Sequence, residues 1–305
     1  MTGATREVLI TGAGGQLGTE LQRCTWPTGW TVTAIDHDTL DLRDTAAIAA
    51  KVAERPWAAV INGAAYTAVD KAETDIVTAW AVNAMAPAAF AHACAVAAIP
   101  LVQVSTDYVF AGDKDGAWEV DDPVGPLGVY GASKLGGEMA VRTSCARHVI
   151  VRTAWVVSAH GNNFVKTMLR VGATRDTLSV VDDQRGSPTS AADLANALMA
   201  IAVRLVEDID APTGTFHFSN AGDISWADFA TEIFCQSAQR GGPSATVTRI
   251  PSSDYPTPAA RPANSLLSHA AIRAAYGIAP RPWQDAIGDI LNELIGQPTS
   301  KEQHI

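Results

Sequence analysis

The stretch "ITGAGGQLG", residues 10 to 18, constrains this 305-residue chain more than any other. It follows a run of Val, Leu and Ile, precedes a helical pattern, and spaces Gly12, Gly15 and Gly18 as G-x-x-G-x-x-G. The commoner G-x-G-x-x-G spacing fails, because Leu17 stands where the third glycine would fall. A strand, a glycine turn and a helix in that order point free helix N-terminal amides at an anion, and the missing side chains let a pyrophosphate come close. The alternative is a glycine-rich turn in any strand-helix unit, so the rest of the chain has to decide.

Short Val/Ile-rich runs alternate with helical stretches through the first half: "EVLITG" (7 to 12), "WTVTAID" (30 to 36), "AAVINGAA" (58 to 65), "PLVQVSTDYVF" (100 to 110) and "HVIVRTAWV" (148 to 156). Runs with little polar alternation suit strands buried on both faces. The pattern predicts an α/β fold, a Rossmann-like doubly wound parallel sheet, with helices at Leu17 to Cys24, Asp44 to Arg55 and Ser133 to Arg147. After Trp155 come loops rich in Gly, Asn, Asp and Pro between helical stretches at 189–207, 225–240 and 282–295. They predict a smaller mixed α/β substrate domain. The expected division is 1–156 plus about 189–210 for the dinucleotide-binding domain, and about 157–188 plus 211–305 for the second.

A net charge of -10 argues against a nucleic-acid partner, which requires basic patches to displace phosphate counterions. The most apolar stretch, Ala79 to Ile99, is broken by Asn83, Pro87 and His92, so it reads as a buried helix and not a membrane span. Strand-like sequence already near Val8 leaves no room for a signal peptide. Cys24, Cys94, Cys145 and Cys235 form no C-x-x-C pair and have no His at ligand spacing, which predicts no disulfide framework, no metal site and a cytoplasmic setting.

Asp36 closes the second strand run, where an acidic residue holds the adenosine ribose hydroxyls. It equally suits a turn cap within "DHD". A carboxylate there favours NAD over NADP, and Arg43 offsets it, so either cofactor form remains open. "STDYVF" ends the fourth strand and "YGASK" (130 to 134) opens the next helix, so Thr106, Tyr130 and Lys134 face the cleft at the strand C-termini. A free tyrosine titrates near ~10. An ammonium one turn away is expected to lower that value, and reaching ~7 takes roughly 4 kcal/mol of differential stabilisation.

"AAYTAVDKAE" (64 to 73), "STDYVF" (105 to 110), "VYGASKLGGE" (129 to 138), "RTAWV" (152 to 156), "GNNFVKTMLR" (161 to 170), "DDQRGSPT" (182 to 189) and "YPTPAARPANS" (255 to 265) span nearly the whole chain. Together with the glycine turn they resemble the extended short-chain dehydrogenase/reductase superfamily and, within it, the dTDP-4-dehydrorhamnose reductase family. The resemblance implies reduction of the 4-keto group of a dTDP-linked sugar, usually with NADPH, with NADH open. It implies a small nucleotide-sugar partner and a monomer or homodimer. It makes Tyr130 the proton donor, Lys134 its tuner and a holder of the nicotinamide ribose, and Thr106 an assistant. It assigns Gly15, Gln16 and Leu17 to the pyrophosphate, Asp36 to the ribose, Asp41 and Leu42 to the adenine, and Ala64, Ala65 and Tyr66 to the cofactor strand end. Thr106, Asp107 and Trp155 fall to the sugar, and Val69 to the wall of its pocket.

Each of these residues has a plainer reading. Trp155 packs or stacks on a sugar face; Asn163 starts a helix or grips the nucleotide; Arg261 is a surface charge or a diphosphate ligand; Val69 with Asp70 and Lys71 closes the pocket or makes a salt-linked turn. Some family members gather acidic residues at a metal-linked interface; Glu20 and Glu293 match two such positions, but Ala192 stands at another, which makes Mg2+ doubtful. Tyr108 follows Asp107 where a dehydratase carries a second carboxyl, so dehydration is disfavoured. A related sugar-nucleotide epimerase, or a non-catalytic subunit similar to the beta subunit of methionine adenosyltransferase, remains as the alternative.

Overall fold

The computed structural model describes residues 5–298. The ends of the two expected domains, 1–4 and 299–305, lie outside the described residues.

The first half runs β1 (Arg6–Thr11), α1 (Gln16–Arg23), β2 (Trp30–Ile35), α2 (Thr45–Ala53), β3 (Ala59–Asn62), α3 (Val69–Ala72), α4 (Ile76–Trp80), a π-helical turn (Ala81–Met85), α5 (Ala86–Val96), β4 (Leu101–Thr106), a 3-10 turn (Asp107–Val109), α6 (Val129–Ser144) and β5 (His148–Thr153). The second half adds β6 (Val156–Val157), α7 (Phe164–Gly172), β7 (Thr177–Val181), β8 (Arg185–Gly186), β9 (Thr189–Ser190), α8 (Ala191–Glu207), β10 (Gly214–His217), β11 (Ile224–Ser225), α9 (Trp226–Ala238), β12 (Thr246–Ile250), α10 (Ala270–Tyr276) and α11 (Trp283–Leu294).

Six strands form one parallel sheet in the order β10-β5-β4-β3-β1-β2. The chain leaves β1 on one side for β2 and on the other for β3, and such a reversal opens a crevice at the strand C-termini. Both sheet faces are covered, as the unbroken apolar runs require. Leu194, Leu198, Ile201 and Leu205 of α8 pack on one face with Val8 and Ile10; Phe90, Cys94 and Val141 pack on the other with Leu9 and Val60. A third core, centred on Phe229, Ile233 and Ile287, belongs to the smaller unit.

Local signals explain the element ends. The Asp44 carboxylate caps α2, accepting from the amides of Ala46 and Ala47 at 3.0 and 2.9 Å. The cap position of α1 is Gly15, which has no side chain to bond the first amides and leaves them for another acceptor. Helix α6 starts earlier than expected, at Val129, so both Tyr130 and Lys134 lie on it.

One expectation needs correction. Residues 211–305 do not lie wholly in the smaller unit: β10 is the edge strand of the main sheet beside β5, and Ile272 of α10 packs in the same core. "GTFH" is only four residues long and lacks the Val/Ile run that betrays the other strands. The apolar run Ile76–Val96 has the length and composition of a membrane span, which the core helix of a globular protein shares, and half of it is buried in the protein. Phe90, Ala91 and Cys94 face inward, while Val77, Met85 and Val96 are exposed.

The glycine turn is sterically compulsory. Gly12 has φ +82, and a Cβ on Gly18 would stand 2.0 Å from the carbonyl oxygen of Gly12. Gly18→Ala therefore pushes α1 off β1, and we expect a loss of about 1–3 kcal/mol in urea unfolding. An unchanged unfolding midpoint contradicts this packing.

Candidate active site

A cavity of about 890 Å³ opens at the C-terminal edge of the sheet, within the ~300–1,000 Å³ typical of small-molecule sites. Its walls collect nearly every residue singled out from sequence. Gly12, Gly15, Gln16, Leu17 and Gly18 form one side; Asp36, Asp41 and Leu42 form one end. Ala64, Ala65, Tyr66 and Val69 follow β3, and Thr106, Asp107, Tyr130, Lys134 and Trp155 close the other end. Asn163 and Arg261 do not line it.

At the first end, Asp36 follows β2. It lines the cavity, and its Oδ1 caps a turn by accepting from the Thr39 amide and hydroxyl at 3.1 and 3.0 Å. Those bonds hold its carboxyl below the ordinary range. Arg43 forks onto Asp41 through Nε at 3.0 Å and Nη2 at 2.6 Å, which brings the Asp41 carboxyl down to about 2. Arg43 and His37 also face the cavity; the sequence reading weighed the first and missed the second, which carries no pattern of its own.

At the other end, α6 is positioned from three sides. Its cap residue Gly128 has no side chain, and the Glu73 carboxylate reaches in from 56 residues upstream to accept from the Val129 amide at 2.8 Å. Gly131 lets the helix approach the 3-10 turn, since a Cβ there would lie 2.2 Å from the Tyr108 carbonyl oxygen. Asn83, in the π turn, donates to Ser133 Oγ at 3.1 Å and bonds the Tyr66 backbone through both its amide and its carbonyl. A buried mid-helix Asn thus ties the β3 loop to the helix bearing Tyr130.

The protonation of the pair differs from the sequence expectation. Burial is the largest influence on Tyr130 and pushes its phenol up to about 12; a hydrogen bond with Thr106 opposes this and the Asp107 carboxylate adds to it. Burial brings Lys134 down to about 8, against the pull of Glu138. Lys134 Nζ donates to the Val104 carbonyl at 2.7 Å. A dry surrounding disfavours the charged form of both groups, and here that outweighs any lowering of the phenol by the ammonium. Tyr108 meets the Tyr130 ring edge-on with centroids 5.4 Å apart.

Asp107 is the other unusual group. Its Oδ1 accepts from Thr106 Oγ1 at 2.9 Å, while its Oδ2 is buried without a partner. Burial pushes its carboxyl up to about 6, with the neighbouring Ser265 and Thr106 hydroxyls opposing. Trp155 has φ 49, a strained value for a side chain of that size, and stacks on Trp226 with centroids 3.6 Å apart. It therefore packs and lines the cavity at once. Trp226 lies 71 positions on, and sequence periodicity carries no trace of such a stack.

The two residues outside the cavity are engaged elsewhere. Asn163 caps α7 and donates to Gln16 Oε1 at 2.9 Å, so it touches the cavity wall only through Gln16. Arg261 donates to Asp70 Oδ1 at 2.8 Å, and the Ala259 amide donates to the same oxygen at 3.2 Å. Glu20 and Glu293 both lie beside the Arg23 guanidinium, at 3.8 and 2.8 Å.

A glycine turn on a parallel sheet, a buried Tyr-Lys pair on α6 and a cavity joining them define an oxidoreductase of the short-chain dehydrogenase/reductase class. Comparison with known proteins narrows that. The profile of the RmlD substrate binding domain family matches residues 6–295. The chain is 41% identical over 291 residues to dTDP-4-dehydrorhamnose reductase of Aggregatibacter actinomycetemcomitans, covering 93% of this chain and 97% of that one. It is 38% identical to the Escherichia coli enzyme of the same name, covering 94% and 97%. The solved dTDP-4-dehydrorhamnose reductase of Bacillus anthracis, in complex with NADP, superposes with a TM-score of 0.87 at 36% identity, covering 95% of this chain and 99% of that one. The chain belongs to the dTDP-4-dehydrorhamnose reductase family.

The buried carboxylate yields a stability test. An acid whose folded value, about 6, lies above its unfolded value of ~3.9 costs stability that appears as pH rises from ~4 to 6 and persists above. Asp107→Asn removes that cost, and we expect it to stabilise the fold by roughly 3 kcal/mol at pH ~7 and by almost nothing below pH ~4. Thermal melts of both proteins across that range check it; a variant less stable at neutral pH shows that the carboxylate is compensated.

Proposed function

We propose that this chain reduces the 4-keto group of dTDP-4-dehydro-L-rhamnose to give dTDP-L-rhamnose, with NADPH as reductant. The supporting observation is the convergence of Tyr130, Thr106 and the unpaired Asp107 oxygen at the end of a cavity whose other side is the glycine turn. The residues fit a dinucleotide. The α1 amides have no side-chain cap, the space before Gly14 is open, and Asp36 stands one strand away.

The bound nicotinamide supplies hydride; the remaining tasks fall to the chain. Tyr130 holds a proton on Oη and gives it to the oxygen developing at C4. A phenol near 12 keeps its proton at neutral pH and is still a far stronger acid than water at ~15.7, the relevant scale for an alkoxide. Thr106 aligns that proton, and the free Asp107 Oδ2 accepts from a sugar hydroxyl. Lys134 has three donors and spends one on Val104, leaving two for the nicotinamide ribose. Trp155, held by Trp226, covers the sugar, and Val69 walls the pocket. Asn163 acts through Gln16, and a substrate diphosphate takes Arg261 from Asp70. In this reading the smaller unit binds the nucleotide-sugar and the six-stranded unit binds the cofactor.

The test supplies the keto-sugar with NADPH or NADH and follows loss of the reduced nicotinamide. Consumption with NADPH supports the reading; none with either cofactor overturns it. Tyr130→Phe is expected to retain nucleotide binding and lose ~10² to 10⁴ in turnover, the usual worth of a positioned acid. An unchanged rate removes Tyr130 as donor.

A further inference from the structure

One turn beyond Lys134 on α6 lies a buried ion cluster whose charged members, Glu138, Arg142 and Arg152, do not line the cavity and have no task in the chemistry above. The Glu138 side chain is 0% exposed and that of Arg152 is 1% exposed. Arg152 forks onto the carboxylate through Nε at 2.9 Å and Nη2 at 2.8 Å; Ser105 Oγ donates at 2.6 Å and Arg142 Nη2 at 2.7 Å. These bonds join α6 to β4 through Ser105 and to β5 through Arg152. The same guanidinium stacks over Phe110 at 4.9 Å and donates to the Val120 carbonyl at 3.3 Å.

Buried ion pairs rarely add net stability over an apolar pair of the same size, so the charge itself calls for a reason. Lys134 supplies one. Its ammonium is buried against the Val104 carbonyl, and dry surroundings drive it toward the neutral amine. The ionisable groups around this corner are Tyr130, Lys134, Glu138 and Arg142 on α6, Asp107 after β4, Arg152 on β5 and His217 on β10. Burial and Arg152 push His217 down to about 3, so it is neutral at working pH. Asp107 already raises the Tyr130 phenol, and Glu138 stands one turn after Lys134 with its carboxylate on Ser105, the β4 residue next to the Val104 that holds Lys134, so it is the carboxylate that favours the ammonium.

We propose that Glu138 is a positioning residue for Lys134: held by Arg152, Ser105 and Arg142, its carboxylate is the counter-charge that keeps the buried ammonium protonated at neutral pH. The importance of that charge for turnover rests on the reductase reading; its existence does not. The proposal separates Glu138 from Arg142 by sign. Removing Glu138 lowers the Lys134 titration, whereas removing Arg142 leaves the carboxylate less neutralised and raises it.

The experiment is an NMR titration of protein labelled at lysine ¹³Cε. The chain has six lysines, and the Lys134 signal is the one absent in Lys134→Met. In the unaltered protein its midpoint falls at about 8. Glu138→Gln moves it down by about one unit, and Arg142→Met moves it up by a few tenths. A folded Glu138→Gln protein with an unmoved midpoint overturns the proposal. If that variant fails to fold because Arg152 is left unpaired, Arg142→Met decides: its side chain is 37% exposed, so the fold tolerates the change, and an unmoved or lowered midpoint overturns the proposal. Because the titration needs no substrate, loss of the reductase reading leaves its result standing. Where turnover is measurable, the alkaline limb of the kcat profile moves with the midpoint, which a purely structural Glu138 would not cause.

Discussion

The site depends on how closely helix α6 approaches the turns beneath it. Gly131 lets the helix backbone meet the Tyr108 carbonyl, and Gly137 does the same for the Asn83 carbonyl; a Cβ at either would come within 2.2 Å of the oxygen. The helix is wedged between the 3-10 turn after β4 and the π turn before α5, with no room for a side chain at either contact. Tyr130 and Lys134 are consequently carried into the protein interior. Glu73, Asn83 and Ser105 then fix the start, middle and depth of the helix by hydrogen bonds from three different parts of the chain, the last of them to Glu138.

That depth sets the chemistry. Free tyrosine and lysine titrate close together near ~10. Here burial separates them in opposite directions, to about 12 and about 8. Environments that push two pKa values apart assign the roles of acid and charge carrier. The phenol is the group that holds a proton, and the ammonium is the group whose charge needs support. A neutral phenol facing a cavity suits delivery of a proton, the direction in which a ketone is reduced. The unpaired Asp107 oxygen is a second cost of the same burial.

Much of the scaffold is legible in the chain because each signal is local. The Val/Ile runs, the glycine turn and the Asp44 cap depend on a few neighbouring residues, and the five strands of the first half appear where they are expected. The positions of Tyr130, Lys134 and Thr106 follow from the strand ends. What is not local is not legible. Strand β10 is short and joins the sheet only because β5 has a free edge, and Trp155 meets Trp226 across the smaller unit. The direction of the Tyr130 shift also escapes sequence reasoning, because i,i+4 spacing shows the lysine and says nothing of the missing water. Of the small residues between Tyr130 and Lys134, Gly131 makes room for backbone and Ser133 bonds Asn83, contacts that no local pattern reveals. Glu138 was within reach: it stands four residues after Lys134 on the same helix face.

The central claim is that burial leaves Tyr130 a neutral acid, and the direct measurement is its own titration. The chain has five tyrosines, and ¹³Cζ labelling with Tyr130→Phe as the reference identifies the one signal that matters. The account expects that resonance to stay protonated through pH ~10, where an ordinary phenol is half ionised. A phenolate appearing with a midpoint near ~7 in the protein alone would show that the ammonium prevails over burial and would contradict the account.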